Sequence, residues 1–193
     1  MRQQWRTQTD LKACVIFTTR YGNTEKIAKS LEAGLKVSGI LTSSVNANEM
    51  NVNALAEYDL ICVGGPTEWH SATKPMKEFL GKMRTADLSG KYGFAFDTRL
   101  TRPLSGSAAG LIEKELRSFG LQIIAPRESA TVFLAAGTVS GARLKEGEEK
   151  RFYQIGARIG ETLAHVTKIQ GYPLGQFATY LSRTGCGRGS SGG

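Results

Sequence analysis

Three threonine hydroxyls, a glycine and an asparagine fall together in Thr18-Thr19-Arg20-Tyr21-Gly22-Asn23-Thr24, directly after the apolar run Ala13-Cys14-Val15-Ile16-Phe17. A helical pattern follows, with Ile27, Ala28, Leu31 and Leu35 on one face. Hydroxyl donors, a backbone free to turn at Gly22 and the bare N–H groups of a helix start are what a phosphate needs, because a helix N-terminus carries partial positive charge. The same residues also suit an ordinary strand-to-helix loop whose threonines cap the helix. Both readings stand on this stretch alone. The chain has no GxxxxGK[ST] motif, and no GxGxxG follows the first apolar run. A monophosphate is therefore a better fit than a nucleoside triphosphate or a dinucleotide.

Two more segments carry groups suited to a flat ring. In Pro66-Thr67-Glu68-Trp69-His70-Ser71-Ala72, Trp69 can lie against a planar heterocycle, where stacking contributes about 0.5–1.5 kcal/mol beyond buried area. It can equally pack down on the helix that begins near Pro75. Glu68 can accept a hydrogen bond from a ring N–H or stay solvated, and His70, with no evident partner as a base, suits the surface. In Asp97-Thr98-Arg99-Leu100-Thr101-Arg102-Pro103, Arg99 near a ring carbonyl would stabilise negative charge developing on reduction. Asp97 can instead pair with Arg99 or Arg102 and only shape the loop. No residue is assigned a catalytic or metal-ligating role.

These segments must be held by something, and the apolar pattern supplies it. Strands are expected at about 12–18, 41–45, 59–65, 92–96 and 121–124, the last broken at Pro126 and resumed at 130–134. Helices are expected at about 23–37, 75–84, 107–118 and 146–165, with a short turn at 53–55. Continuous apolar runs such as Leu60-Ile61-Cys62-Val63 mark strands buried on both faces. Strand and helix alternating over short connections predict a parallel sheet covered on both sides. Ligands bind such sheets beyond the carboxyl ends of the strands, which groups the three loops on one edge.

Length and composition frame this reading. The 193 residues suit one domain at 12–170, with a loose arm at 1–11 and a fraying Gly-, Ser- and Arg-containing tail at 171–193. Apolar content of 40% and charged content of 22% are those of a globular protein. No stretch has the length of a membrane span, and the polar N-terminus lacks the apolar core of a signal peptide. Cys14, Cys62 and Cys186 have no paired spacing, which fits a reducing cytoplasm. Of the net charge of +8, the arm contributes +1 and the tail +2. The remaining positive charge is spread without a basic block, so nucleic acid is not expected as a partner, whereas an acidic partner is.

TTRYGNT after the first strand, GGPTEW after the third and AFDTR after the fourth resemble the flavodoxin family over residues 12–166. The segment FDTRL…SGSAAGLIEKELRSFG is similar to a subgroup of small prokaryotic flavodoxin-domain proteins. The resemblance implies a flavodoxin-like three-layer sandwich, with a five-stranded parallel sheet in the order 2-1-3-4-5. It implies FMN as cofactor, with the phosphate at Thr18, Thr19, Tyr21, Asn23 and Thr24 and the ring between the 66–70 and 97–100 loops. Arg20 and Gly22 complete the first loop, and Pro66, Thr67, Glu68, Trp69, Asp97, Thr98 and Arg99 complete the expected cofactor contacts. Four features depart from the family pattern. Arg20 stands where glycine is common, the third loop lacks a covering aromatic, no glycine follows Trp69 closely, and the chain is basic where electron-carrier flavodoxins are acidic. A phospho-receiver protein of the same fold needs an aspartate at the end of the third strand, where Gly64-Gly65 stand here.

Three functions compete on this reading. The first is an FMN-binding redox protein transferring electrons between partner proteins. The second is an FMN-dependent NAD(P)H:quinone-type oxidoreductase, which would need room over an uncovered ring face. The third is a flavodoxin-like binding or regulatory module that has lost FMN.

Overall fold

A computed structural model describes residues 11–100, 106–134 and 141–170. The expected arm before Leu11, the end of the third loop (Thr101–Pro103) and the tail lie outside these residues. Leu11 itself is buried.

The chain runs β1 (Lys12–Phe17), α1 (Asn23–Val37), β2 (Leu41–Asn46), a 3-10 turn (Val52–Glu57), β3 (Leu60–Glu68), β4 (Ser71–Ala72) and α2 (Lys74–Met83). It continues through β5 (Tyr92–Leu100), α3 (Ala108–Ser118), β6 (Gln122–Ile123), β7 (Glu128–Phe133), β8 (Arg143–Leu144) and α4 (Glu148–Gln170). The sheet order is β2-β1-β3-β5-β7-β8, with β4 beside β3 and β6 beside β5. The five long strands thus lie in the expected 2-1-3-4-5 order, and all pairings among them are parallel.

The strand count differs from expectation. Among the described residues eight strands form, because three two-residue strands join the five long ones. β4 and β8 run antiparallel to β3 and β7. The expected strand at 121–124 shrinks to β6, and the long fifth strand is β7. Pro126 between them has no N–H to donate to a ladder, so the chain leaves the sheet and re-enters further along β5. Expected helix boundaries also move by one to a few residues. α2 starts at Lys74, with Pro75 in its first turn, and α4 runs from Glu148 rather than Glu146 and continues past His165.

Alternating side chains along the buried strands feed two cores. Ala13, Val15, Phe17, Leu60, Cys62, Phe94 and Phe96 meet α1 and α4, where Phe152 lies edge-on to Phe96 at 6.1 Å between ring centres. Cys14, Ile16, Ile61, Val63 and Ala95 meet Met76, Phe79 and Met83 of α2 and Ile112 and Leu116 of α3. α1 and α4 pack backbone to backbone. A methyl group at Gly34 would overlap the Tyr153 carbonyl oxygen, one at Gly156 the Leu31 carbonyl oxygen, and one at Gly160 the Ser38 side chain.

Candidate functional site

The parallel order sends β1, β3 and β5 to a common edge, and the loops that leave them meet there. β1 hands over to α1 through Thr18–Gly22. Gly22 takes a left-handed conformation (φ 79°), which an L side chain adopts only with strain. It is also the residue capping α1, and having no side chain it leaves the first amide N–H groups without a side-chain acceptor. Nothing lies within 4 Å of where its Cβ would be. The helix start is therefore open.

Side-chain ties fix the direction in which it opens. Thr24 Oγ1 and Thr98 Oγ1 share a hydrogen bond of 2.8 Å, tying α1 to β5. Asn23 Nδ2 donates to the Ala142 carbonyl at 2.8 Å, tying it to the segment before β8. A cleft results, lined by Thr19–Tyr21, Asn23 and Thr24 on one side and by Pro66–Glu68 and Thr98–Leu100 on the other, with Val132, Leu134 and Ala142 closing it. Thr19 Oγ1 is buried and has no hydrogen-bond partner among the described residues.

β3 and β4 form a hairpin in the second loop. Thr67 faces Ala72 and Glu68 faces Ser71, which leaves Trp69-His70 as a two-residue connection. Both have positive φ, 46° and 65°, as a primed hairpin turn requires, although glycine and asparagine normally supply such turns. The strain is held by neighbours: His70 pairs with Gly106, where any Cβ would collide with the His70 backbone. Trp69 is 94% exposed. Of the two roles open to its indole, packing down on α2 is not the one adopted. Arg20 spans the cleft mouth, its Nη1 donating to Glu68 Oε1 at 3.2 Å while its guanidinium stands 5.4 Å from the Tyr21 ring centre. Glu68 holds the guanidinium pKa above its ordinary value. Arg99 donates through Nη1 to the Gly106 carbonyl at 3.1 Å.

Four of the sequence-selected residues do not line the cleft: Gly22 and Trp69, described above, and Asp97 and Thr18. Asp97 is fully buried. Its Oδ2 accepts from Thr67 Oγ1 at 2.9 Å, Ser107 Oγ at 2.8 Å and the Ala109 N–H at 3.0 Å. Asp97 thus braces the second and third loops against α3, a loop-shaping role carried by these partners, while Arg99 turns to the Gly106 carbonyl. Thr18 lines a different cavity, on the α2 side of the first loop. Its hydroxyl lies close to Gly65, where a Cβ would stand 2.8 Å from Oγ1. Conversely, Val132, Leu134 and Ala142 carry no sequence signal for a site; they reach it because β7 re-enters the sheet beside β5.

A family model for the flavodoxin domain matches residues 14–150. A flavodoxin of Clostridium saccharobutylicum is 32% identical over 89 residues, covering 46% of this chain and 56% of that protein. A putative diflavin flavoprotein A 4 of a Synechocystis strain is 30% identical over 129 residues, 61% of this chain but 20% of that protein. The match therefore spans little more than half of the first relative and a fifth of the second. A flavodoxin structure from the domain Archaea superposes with a TM-score of 0.66 at 21% identity, covering 79% of this chain and 99% of that one. With the family match extending over most of the folded residues, this chain belongs to the flavodoxin-domain family.

Proposed function

We propose that this protein binds FMN and passes electrons between partner proteins. The observation that carries the reading is the open start of α1, with a left-handed Gly22, no side-chain cap and an unpartnered Thr19 hydroxyl, set in the same cleft as the β3 and β5 exits. A phosphate group answers all three features at once. Family membership makes FMN the group that brings it.

In this reading the FMN phosphate rests on the backbone N–H groups at the start of α1 and on Thr19, with Tyr21, Asn23 and Thr24 around it. Asn23 and Thr24 already spend side-chain bonds on Ala142 and Thr98, so they hold the loop in shape and leave their backbone N–H groups to the ligand. The flavin ring lies between Pro66–Glu68 and Thr98–Leu100. The Trp69 indole, exposed at the tip of a strained hairpin, is available to cover one ring face. Arg20 adds positive charge beside the phosphate while bridging to Glu68. When bound, FMN supplies the electron-accepting and electron-donating chemistry, and the protein supplies position and electrostatics.

No described helix is long and apolar enough to cross a membrane. A cytoplasmic location is part of the proposal, on the strength of the two buried free thiols Cys14 and Cys62. The basic chain calls for partners that are acidic where they dock. The visible spectrum of the purified protein, followed by titration with FMN, tests the reading. Flavin absorbance, or saturable uptake with quenched flavin fluorescence, is the expected result. Colourless protein that takes up no FMN overturns it.

A further inference from the structure

The cavity on the α2 side of the first loop has a volume of about 300 Å³, and Thr18, Asn46, Asn48 and Thr73–Pro75 in its lining take no part in the proposed FMN site. Thr18 and Thr19 form one wall, Asn46 and Asn48 beyond β2 a second, and Thr73–Pro75 at the start of α2 a third. Thr19, Arg20, Pro66 and Glu68 line both it and the cleft described above.

Two buried hydroxyls on opposite walls lack partners. Thr18 is 5% exposed and Thr73 9% exposed, and neither Oγ1 has a hydrogen-bond partner among the described residues. Buried hydroxyls are normally satisfied, so two facing the same cavity point to a missing acceptor. Thr73 is moreover the capping residue of α2, yet its side chain makes no cap bond. A threonine at that position usually accepts from its own helix. Here the helix start is left to present partial positive charge to the cavity.

The charges agree in sign. Lys74 also lines the cavity, and its ammonium stands 3.8 Å from Glu78 on the exposed helix surface. Asn46 spends its Oδ1 on the Asn48 N–H at 3.0 Å, which leaves its amide N–H groups as donors. Glu68 is the one carboxylate in the wall, and Arg20 neutralises it at 3.2 Å. More than two donors are therefore on offer, from three elements: the Thr18 hydroxyl after β1, the Asn46 amide of β2, and the Thr73 hydroxyl with the start of α2. A planar carboxylate offers two oxygens to such a set; a tetrahedral oxyanion offers three or four.

We propose that this cavity is a second oxyanion site, distinct from the α1 site, that binds a phosphate group either as the free ion or as the head group of a small phosphate monoester. It does not depend on FMN being the ligand of the first cleft.

The test is a 15N NMR titration of the full chain with inorganic phosphate and, in parallel, with glycerol 3-phosphate, against chloride at equal ionic strength. Pro75 has no N–H, so the reporters at this helix start are the amides of Lys74 and Met76. The expected result is saturable shifts at both, absent with chloride. Thr73→Val and Thr18→Val, on opposite walls, each weaken binding about tenfold. The tighter of the two phosphates identifies whether the group enters free or on a carrier. Shifts that never saturate, shifts confined to residues 21–25, or unchanged affinity in both folded variants would overturn the proposal. A separate FMN titration read at residues 21–25 tests the first cleft, so either site can fail without the other.

Discussion

α1 and α3 both begin at the ligand edge of the sheet, and the chain treats their starts in opposite ways. At α3 its own side chains fill the place of a ligand. Ser107 Oγ accepts from the Gly110 N–H at 3.2 Å, Thr67 Oγ1 from the Ala108 N–H at 2.9 Å and Asp97 Oδ2 from the Ala109 N–H at 3.0 Å. A buried carboxylate thus sits where the helix dipole favours negative charge. At α1 the capping position is a glycine and no side chain reaches the amides. The plugged start is rigid and carries the loop; the open start is where an anion can go. An active edge built this way needs one of each.

Removing the plug should have the largest effect. Asp97→Ala leaves the Thr67 and Ser107 hydroxyls and the Ala109 N–H without their acceptor in a buried place, and a loss of about 3 kcal/mol is expected in urea denaturation. Asp97→Asn, which keeps an oxygen there, should lose clearly less. If both variants unfold at the wild-type urea concentration, α3 does not depend on its plug.

The converse change plugs the open start. Gly22→Asp places a carboxylate at the α1 cap in a conformation that Asp tolerates better than most residues. FMN affinity should fall roughly thirtyfold, about 2 kcal/mol, with stability little altered. Equal affinity in a fluorescence titration would mean that the helix start contributes nothing to binding.

These measurements belong at or below pH 9. Burial pushes the Cys14 thiol up to about 12 from an ordinary 9.0, and burial raises Cys62 as well. Above pH 9 the unfolded chain therefore releases protons that the folded chain retains. Stability should be pH-independent on this account below that point and fall above it, by about 1.4 kcal/mol per pH unit for each thiol. Cys14→Ser, once its own offset is subtracted, should show a shallower fall; an identical slope would remove Cys14 from the account.

Smaller effects sharpen the contrast. Ser107→Ala removes one member of the α3 plug and should cost about 1 kcal/mol, because Asp97 and Thr67 remain. Arg20→Gly should weaken FMN by a few fold, roughly, since exposed charges act weakly and salt screens them. Tighter binding in this variant would instead mean that the Arg20–Glu68 bridge obstructs the cleft.

The contrast between the two helix starts also marks how far the sequence could be read. The open start was legible, because a strand, a hydroxyl-rich turn with Gly22 and a helical pattern are contiguous. The alternation of elements likewise carried the strand order and the grouping of three loops on one edge. The plug was not legible in detail: Thr67 and Ser107 lie 30 and 10 residues from Asp97, and nothing in their types selects that carboxylate over Arg99 as a partner. The side of the loop on which Thr18 faces depends on Gly65 making room in a neighbouring strand. The hairpin at Trp69-His70 was hidden because its residues are poor formers of the turn they adopt. The split fifth strand had a visible cause in Pro126, but the point of re-entry is decided by pairing with β5.

The glycine contacts between α1 and α4 have a consequence for the order in which the domain is made. Among the described residues α1 is the first helix synthesised and α4 the last, yet Gly34 and Gly156 bring their backbones into direct contact. A nascent chain ending before residue 148 lacks one flank of α1 and the aromatic ring of Phe152 beneath Phe96. The loop that starts α1 is thus synthesised early and positioned late. Ligand capture at that loop reports that the rest of the domain has been completed.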